Sequence, residues 1–391
     1  MATASAEPGT EAGVAARLLE PVRVAGLDLP DRIVMAPMSR YFCPDGVPGA
    51  EVAAYYARRA AGGVGLIVSE ATYIGHPSAA SYAGVPDFHG PALDGWVRVL
   101  AAVRAAGGRM FPQLWHTGSF RELGMHPDPS VPGFDASENL NAFEHTTHRT
   151  KPMTEADIAD VIAAYAKAAK SAQEVGFDGV EIHGAHGYLI DSFFWSQTNR
   201  RTDSWGGDIG QRTRFGAEIV KAIRRAVGPA FPISFRWSQF KQQDYRAKLA
   251  HTPEELEQVL TPLVDAGADI LHASARRYWE PAFKELSPMT LAGWTKEVTG
   301  KPSIAVGSVG LGGVASTAKT SPTHVDNTTI SFADAPLDGV EKVEELLERE
   351  EFDLIAIGRA LLADPEWARK VKEGRLAERR AFSKDLLHHL E

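Results

Sequence analysis

Eight short apolar runs, each followed by an amphipathic stretch, set the strongest limit on how this chain folds. The runs are Arg32–Pro37, Gly65–Ser69, Arg109–Leu114, Gly179–His183, Pro232–Arg236, Asp269–Ala273, Pro302–Gly307 and Asp353–Ile357. Short runs bounded by turn residues suit strands covered on both faces, as in a parallel sheet. The stretches between them carry helix signals. Thr154 precedes Glu155 and Asp157, an N-cap with acid in the first turn; Ile158, Val161, Ile162, Tyr165, Ala169 and Ala172 then recur at helical spacing up to Gly176. Thr252-Pro253-Glu254-Glu255 repeats the device with proline at the first helical position, and that helix ends near Gly267. Eight βα units predict an α/β fold, a closed (β/α)8 TIM barrel with long βα loops at its C-terminal face. The alternative, an open doubly wound sheet, calls for a Gly-x-Gly-x-x-Gly turn after the first strand, and none is there. Val22 to Leu29 reads as a β-hairpin capping the barrel's N-terminal end. The barrel is expected over 19–375, after a mobile N-terminal tail over 1–18 and before a C-terminal tail or helix over 376–391.

Composition narrows the function classes. The chain has 391 residues and a net charge of −9, with no Lys/Arg block, so neither nucleic acid nor an anionic membrane is an expected partner. The lone cysteine, Cys43, excludes an internal disulfide and a cysteine-ligated iron–sulfur cluster. No segment reaches the roughly 18 apolar residues of a membrane span, and residues 1–17 lack a signal peptide's apolar core. A cytoplasmic protein is the default. Two segments interrupt the βα rhythm: Gly118–Lys151, after the third strand, and Gly310–Pro336, after the seventh. A homo-oligomer stays open, because Arg379-Arg380 suits a subunit contact or a solvated helix equally.

Active sites of such barrels gather where strands end at the C-terminal face. The fourth strand leads into His183, His186 and Tyr188: two imidazoles to hold one oxygen and a phenol to deliver a proton. The two histidines could instead bind a metal, but Glu181 is expected to point elsewhere, which leaves no third ligand. Gln113, ending the third strand, offers a donor and an acceptor to the edge of a heterocycle. Arg236, ending the fifth, needs an anion; its structural alternative is an ion pair with Glu181 or Asp269. Glycines after the seventh and eighth strands, Gly307 and Gly358, suit a phosphate or a tight turn, and Arg359 beside Gly358 favours phosphate. No lysine sits at a strand end to form a Schiff base, which argues against an aldolase or lyase.

These residues carry a resemblance. Asp31 to Arg40, Gln113-Leu114-Trp115-His116, His183 to Tyr188, Asn199 to Asp203 with Trp205-Gly206-Gly207, and Ile357-Gly358-Arg359 with Asp364-Pro365 stand in order along nearly the whole chain. In these the chain resembles the Old Yellow Enzyme family of FMN-dependent ene-reductases. The resemblance implies FMN across the barrel mouth and NAD(P)H as hydride donor. It implies that Pro37, Met38 and Ser39 line the flavin, that Ala71 and Gln113 meet its ring, and that His183 lies beside it. Arg236 would face its N1/O2 side, with Gly307, Gly358 and Arg359 at the phosphate. His183 and His186 would bind the carbonyl or nitro oxygen of an electrophilic alkene, with Tyr82 as a pocket residue; Tyr188 would protonate the carbon next to it. Trp115 and Trp279 are read as substrate walls, the latter with Arg276, Arg277 and Tyr278. Ser39 departs from the Thr or Cys of many members. The expected activity is reduction of an activated C=C bond. A dedicated biosynthetic oxidoreductase or desaturase on the same fold is the alternative.

Overall fold

The computed structural model describes residues 15–140, 148–310 and 340–391. The hairpin strands are β1 (Val22–Val24) and β2 (Leu27–Leu29). The barrel strands that begin the chain are β3 (Ile33–Met35), β4 (Leu66–Tyr73) and β5 (Met110–Trp115). A small excursion comes next, with β6 (Phe134–Asp135) paired to β7 (Lys151–Pro152). Then come β8 (Val180–His183), β9 (Ile233–Ser238), β10 (Ile270–Ser274), β11 (Ser303–Val306) and β12 (Leu354–Ile357). The order β10-β11-β12-β3-β4-β5-β8-β9 closes on itself with parallel pairing throughout. Each of the eight predicted runs is one of these strands. Helices lie between them, among them Ala50–Ala61, Ala92–Ala105, Glu155–Val175, Arg214–Val227, Pro253–Asp265 and Leu291–Thr299. The predicted caps form: Thr154 makes a capping box with Asp157, and the Thr252 side chain accepts from the Glu255 N–H.

Alternation along the strands divides the apolar residues into two cores. Ile33, Met35, Ile67, Ile182, Phe235, Leu271 and Ile355 face the helices. Val34, Leu66, Val68, Phe111, Ile270, Ile304 and Leu354 fill the barrel, and Val24 and Leu29 of the hairpin join them, so the hairpin plugs the N-terminal end as expected. One feature was not foreseen. β4 carries a bulge against β5, where the register jumps from Val68 opposite Phe111 to Ala71 opposite Gln113. A bulge re-aims the strand beyond it, and here it sets Ala71 beside Gln113.

Ala15 and Leu18, at the end of the expected N-terminal tail, are buried, and Glu344 accepts from the backbone N–H groups of Arg17 and Leu18. Residues 1–14 of that tail, and 311–336 of the second interruption, lie outside the described residues. The C-terminal segment has 3-10 turns at Leu376–Glu378 and Lys384–His388, and Arg40 donates to the carbonyls of Leu386 and His389. The Asn199–Gly207 motif is structural. Arg201 donates to the carbonyls of Ala136 and Met153, and Trp205 donates to Glu155, which ties the β6–β7 excursion to the barrel wall.

Candidate active site

The barrel interior is apolar on one side and polar on the other. Gln113, Glu181, Ser234, Arg236, His272 and Ser274 project from β5, β8, β9 and β10 and are all buried. Glu181 anchors the lower layer. It accepts from Gln113 Nε2 at 2.9 Å, from Ser234 Oγ at 3.0 Å and from His272 Nδ1 at 2.7 Å. This corrects the expectation that Glu181 points elsewhere: it stands two residues from His183, and positions i and i+2 share a strand face. Burial alone would raise the Glu181 pKa, but His272, Arg236 and the Ser234 hydroxyl hold it down at about 2. Burial lowers the His272 pKa, with a smaller push from Arg236, while Glu181 opposes the shift. Gln113 thus spends one amide N–H on Glu181, leaving its carbonyl oxygen and second N–H for anything above it.

Arg236 lies in register between His183 and His272 and is 8% exposed. Neither ion pair of the structural alternative forms: Asp269 takes Arg224, and Glu181 takes His272. Arg236 Nη2 donates to Ser274 Oγ at 3.3 Å, and its Nε is buried without a partner. Ser274 in turn contacts His186 Nε2 at 2.8 Å. A Ser274 hydroxyl that donated to Nε2 would leave the His186 proton on Nδ1. His183 Nδ1 accepts from the Ala185 N–H at 3.4 Å, which leaves its proton on Nε2. Burial, then the Arg236 charge, pushes the His183 pKa down to about 3, and the same two causes lower His186. Each ring is therefore a neutral imidazole with one N–H to give.

The turn from His183 to Tyr188 is tight. His186 has φ +66° and Gly187 φ +82°, and a side chain at 187 would run into the Gln243 carboxamide. The turn places the His183 and His186 rings 5.1 Å apart at 83°, and the His183 and Tyr188 rings 5.0 Å apart at 85°. Trp115 stacks near His183, meets Tyr188 edge-on at 4.7 Å and stacks with Tyr82 at 6.1 Å. Thus His183, His186, Tyr188, Trp115 and Tyr82 form one group. Trp279 packs edge-on against Tyr278. Arg276 and Arg277, of the same loop, line a cationic cavity that Arg236 borders.

That cavity, of about 430 Å³, is lined by Pro37, Met38, Ser39, Arg236, Gly307, Gly358 and Arg359, seven of the ten residues expected around a cofactor; Ala71, Gln113 and His183 are not part of its lining. Gly307 has φ +146°, and a Cβ there would strike the Ala275 carbonyl. Arg276, Arg277, Arg359 and Lys384 add positive charge, and among the described residues that line it there is no carboxylate. Burial and the neighbouring Arg276 pull Arg359 down to about 10, a mutual repulsion that an anion would relieve. The lining fits FMN on two observations: a cluster of cations with no carboxylate among the described lining residues suits a phosphate, although Arg277 also pairs with Glu280 outside the lining, and the unpartnered Nε of buried Arg236 suits an electron-rich ring edge.

Sequence reasoning missed His272, Ser274, Gln242 and Lys384. The first two were readable as polar residues at alternate positions of the otherwise apolar Ile270–Ser274. Gln242 and Lys384 had no local signal, since each reaches the site from a separate loop.

A family model described as NADH:flavin oxidoreductase / NADH oxidase matches residues 17–333. The chain is 32% identical over 367 residues to the NADH oxidase of Thermoanaerobacter brockii, covering 91% of this chain and 50% of that protein, so it spans about half the length of that relative. It is 34% identical over 371 residues to flavin oxidoreductase hxnT of Emericella nidulans, covering 91% and 90%. Among solved structures, morphinone reductase in complex with tetrahydroNAD superposes with a TM-score of 0.75 at 26% identity, over 95% of this chain and 93% of that one.

Proposed function

The chain belongs to the NADH:flavin oxidoreductase / NADH oxidase family, the Old Yellow Enzyme family, and from that premise we propose that it is an FMN-dependent ene-reductase. In this reading it uses NAD(P)H to reduce the activated C=C bond of α,β-unsaturated carbonyl or nitro compounds. The observation that carries the reading is the grouping of His183, His186 and Tyr188 beside Arg236, which itself lines the cationic cavity.

FMN, when bound, supplies a hydride carrier between NAD(P)H and the alkene. Pro37, Met38, Ser39, Ala71 and Gln113 would hold its ring, and Gly307, Gly358 and Arg359 its phosphate. Arg236 would set a fixed positive charge against the ring edge that becomes electron-rich. His183 Nε2–H and His186 Nδ1–H donate to the substrate oxygen, which draws electron density from the β-carbon. Neutral imidazoles suit that task, because they donate without competing with Arg236 for an anion. Tyr188 gives its proton to the α-carbon, and water restores it. Trp115 and Tyr82 wall the group and keep bulk water away.

The test starts from the visible spectrum of the purified protein, then adds NADPH without oxygen, then 2-cyclohexenone. Flavin bands that bleach and then return support the proposal. Bleaching without return moves the weight to a dedicated biosynthetic substrate, and a colourless protein that FMN cannot reconstitute overturns it. Tyr188→Phe should slow the enone-dependent return roughly 10²- to 10⁴-fold. Full speed in that variant would remove Tyr188 from the role.

A further inference from the structure

We propose that Gln242 is a positioning residue for Tyr188: it occupies the phenol oxygen as a donor, so that the Tyr188 proton is held on the side away from Gln242. This rests on the reading of Tyr188 as proton donor. Gln242 Nε2 donates to Tyr188 Oη at 2.9 Å. A phenol has one hydrogen, and a donor arriving at its oxygen takes up a lone pair and turns that hydrogen elsewhere.

The remaining freedom of the phenol is small. Its ring is fixed by Trp115 edge-on at 4.7 Å, by Phe120 at 4.7 Å and by His183 at 5.0 Å. What Gln242 sets is therefore the O–H torsion. The backbone that carries the amide is tied down as well. The Gln242 N–H donates to the His186 carbonyl at 3.1 Å, and Lys241 bridges to His186 as in a parallel sheet. Lys241 Nζ meets Asp191 Oδ1 at 2.6 Å, and Asp191 Oδ2 accepts from the Gly187 N–H at 2.7 Å. Backbone and ion pair thus bolt the loop carrying Gln242 to the turn carrying Tyr188.

The donor also matters to the product of the step. When the Tyr188 O–H bond breaks and a C–H bond forms at the substrate α-carbon, a phenolate is left in a site that is 7% exposed. The hydride partner of that proton comes from NAD(P)H through the cofactor, and water reprotonates the phenolate. Burial pushes the Tyr188 pKa well above the ordinary tyrosine value, and the Gln242 hydrogen bond opposes that rise. A carboxylate at 242 would do the reverse: it would accept the phenol proton and draw it away from the substrate.

The experiment uses FMN-loaded Gln242→Met and Gln242→Glu, with the NADPH-driven bleaching and the 2-cyclohexenone-driven return timed separately in water and in D2O. Gln242→Met keeps length but loses the strong donor. It should slow the return roughly 10- to 100-fold, the worth of a hydrogen bond to a charged group, and raise its solvent isotope effect, with bleaching unchanged. Above neutral pH, Gln242→Glu should be slower still. Return in Gln242→Glu as fast as in the parent, or equal slowing of both halves without a change in isotope effect, would overturn the inference. Tyr188→Phe separates it from the reading beneath. A slow Tyr188→Phe with unaffected Gln242 variants sinks only the inference; a fast one sinks both.

Discussion

Lys241→Met should be among the most costly single substitutions in this protein. Lys241 and Asp191 are each 0% exposed and 2.6 Å apart. Removing the lysine leaves a carboxylate in the interior with only the Gly187 N–H and no cation. Breaking a buried pair from one side costs roughly 3–5 kcal/mol, against a typical total stability of about 5–15 kcal/mol. By contrast, Lys342→Met removes an exposed bridge to Glu345 and should leave the unfolding midpoint almost unmoved. The cost at Lys241 should depend on pH, and its sign comes from Asp191. Burial already raises the Asp191 pKa above 3.8, while Lys241 opposes the rise. Without the lysine it rises further. A carboxyl whose folded pKa lies above its unfolded value loses stability as pH climbs between the two, by about 1.4 kcal/mol per unit. The gap between variant and parent should therefore be smaller in mild acid than at neutral pH. The assay is urea unfolding of the FMN-loaded protein under both conditions, read as a midpoint shift at constant m-value. Asp191→Asn added to Lys241→Met should recover part of the loss, because no charge is then stranded. A cost below about 1 kcal/mol at the higher pH, or one equal at both, would refute the reasoning.

Two further outcomes are expected. Arg359→Ala should weaken FMN binding to the apoprotein roughly 10- to 100-fold through loss of a charge-assisted bond; flavin fluorescence on titration measures it, and an unchanged affinity would remove Arg359 from the phosphate. Glu181→Gln should destabilise by about 3 kcal/mol at neutral pH, from the difference between a folded pKa of about 2 and the ordinary 4.5. Because that pKa is depressed, the contribution is present above about pH 4.5 and lost as pH falls toward 2, so parent and variant should converge in acid. Denaturant midpoints at several pH values check this, and a gap that widens in acid would contradict it.

The barrel was legible because closure buries both faces of every strand. That demand writes a continuous apolar run such as Ser303–Val306 or Leu354–Ile357 into the sequence, independent of distant contacts. The site was legible where chemistry sits at strand ends, as with Arg236 and His183. It was illegible where partners come from other loops. Gln242 lies 54 positions from Tyr188, and nothing in Gln242-Gln243 separates a positioning amide from a solvated one. Lys384 comes to the cavity from the C-terminal segment, where no periodicity points inward. The bulge between Val68 and Ala71 was hidden because it falls on Ser69 and Glu70, where the apolar run has ended, so the pattern carries no sign that the strand continues to Tyr73.

The misreading of Glu181 shows how strand parity should have been used. His183, Arg236 and His272 were each visible as polar residues on apolar strands, and parity carries the same face to Glu181, Ser234 and Ser274. Burying six polar side chains in one half of a barrel is unfavourable unless each finds a partner. Counting partners then separates scaffold from site. Glu181 is satisfied three times over by Gln113, Ser234 and His272, so it belongs to the scaffold. Arg236 keeps a buried Nε without a partner and borders the cavity. The carboxylate that could have neutralised it one layer below is already engaged, and that engagement leaves the arginine's charge for a ligand. The polar half of the barrel thus works as two layers: a lower network centred on Glu181 fixes the geometry, with only the His272 Nε2 left unpaired among its described atoms, and an upper layer with unspent donors faces the mouth.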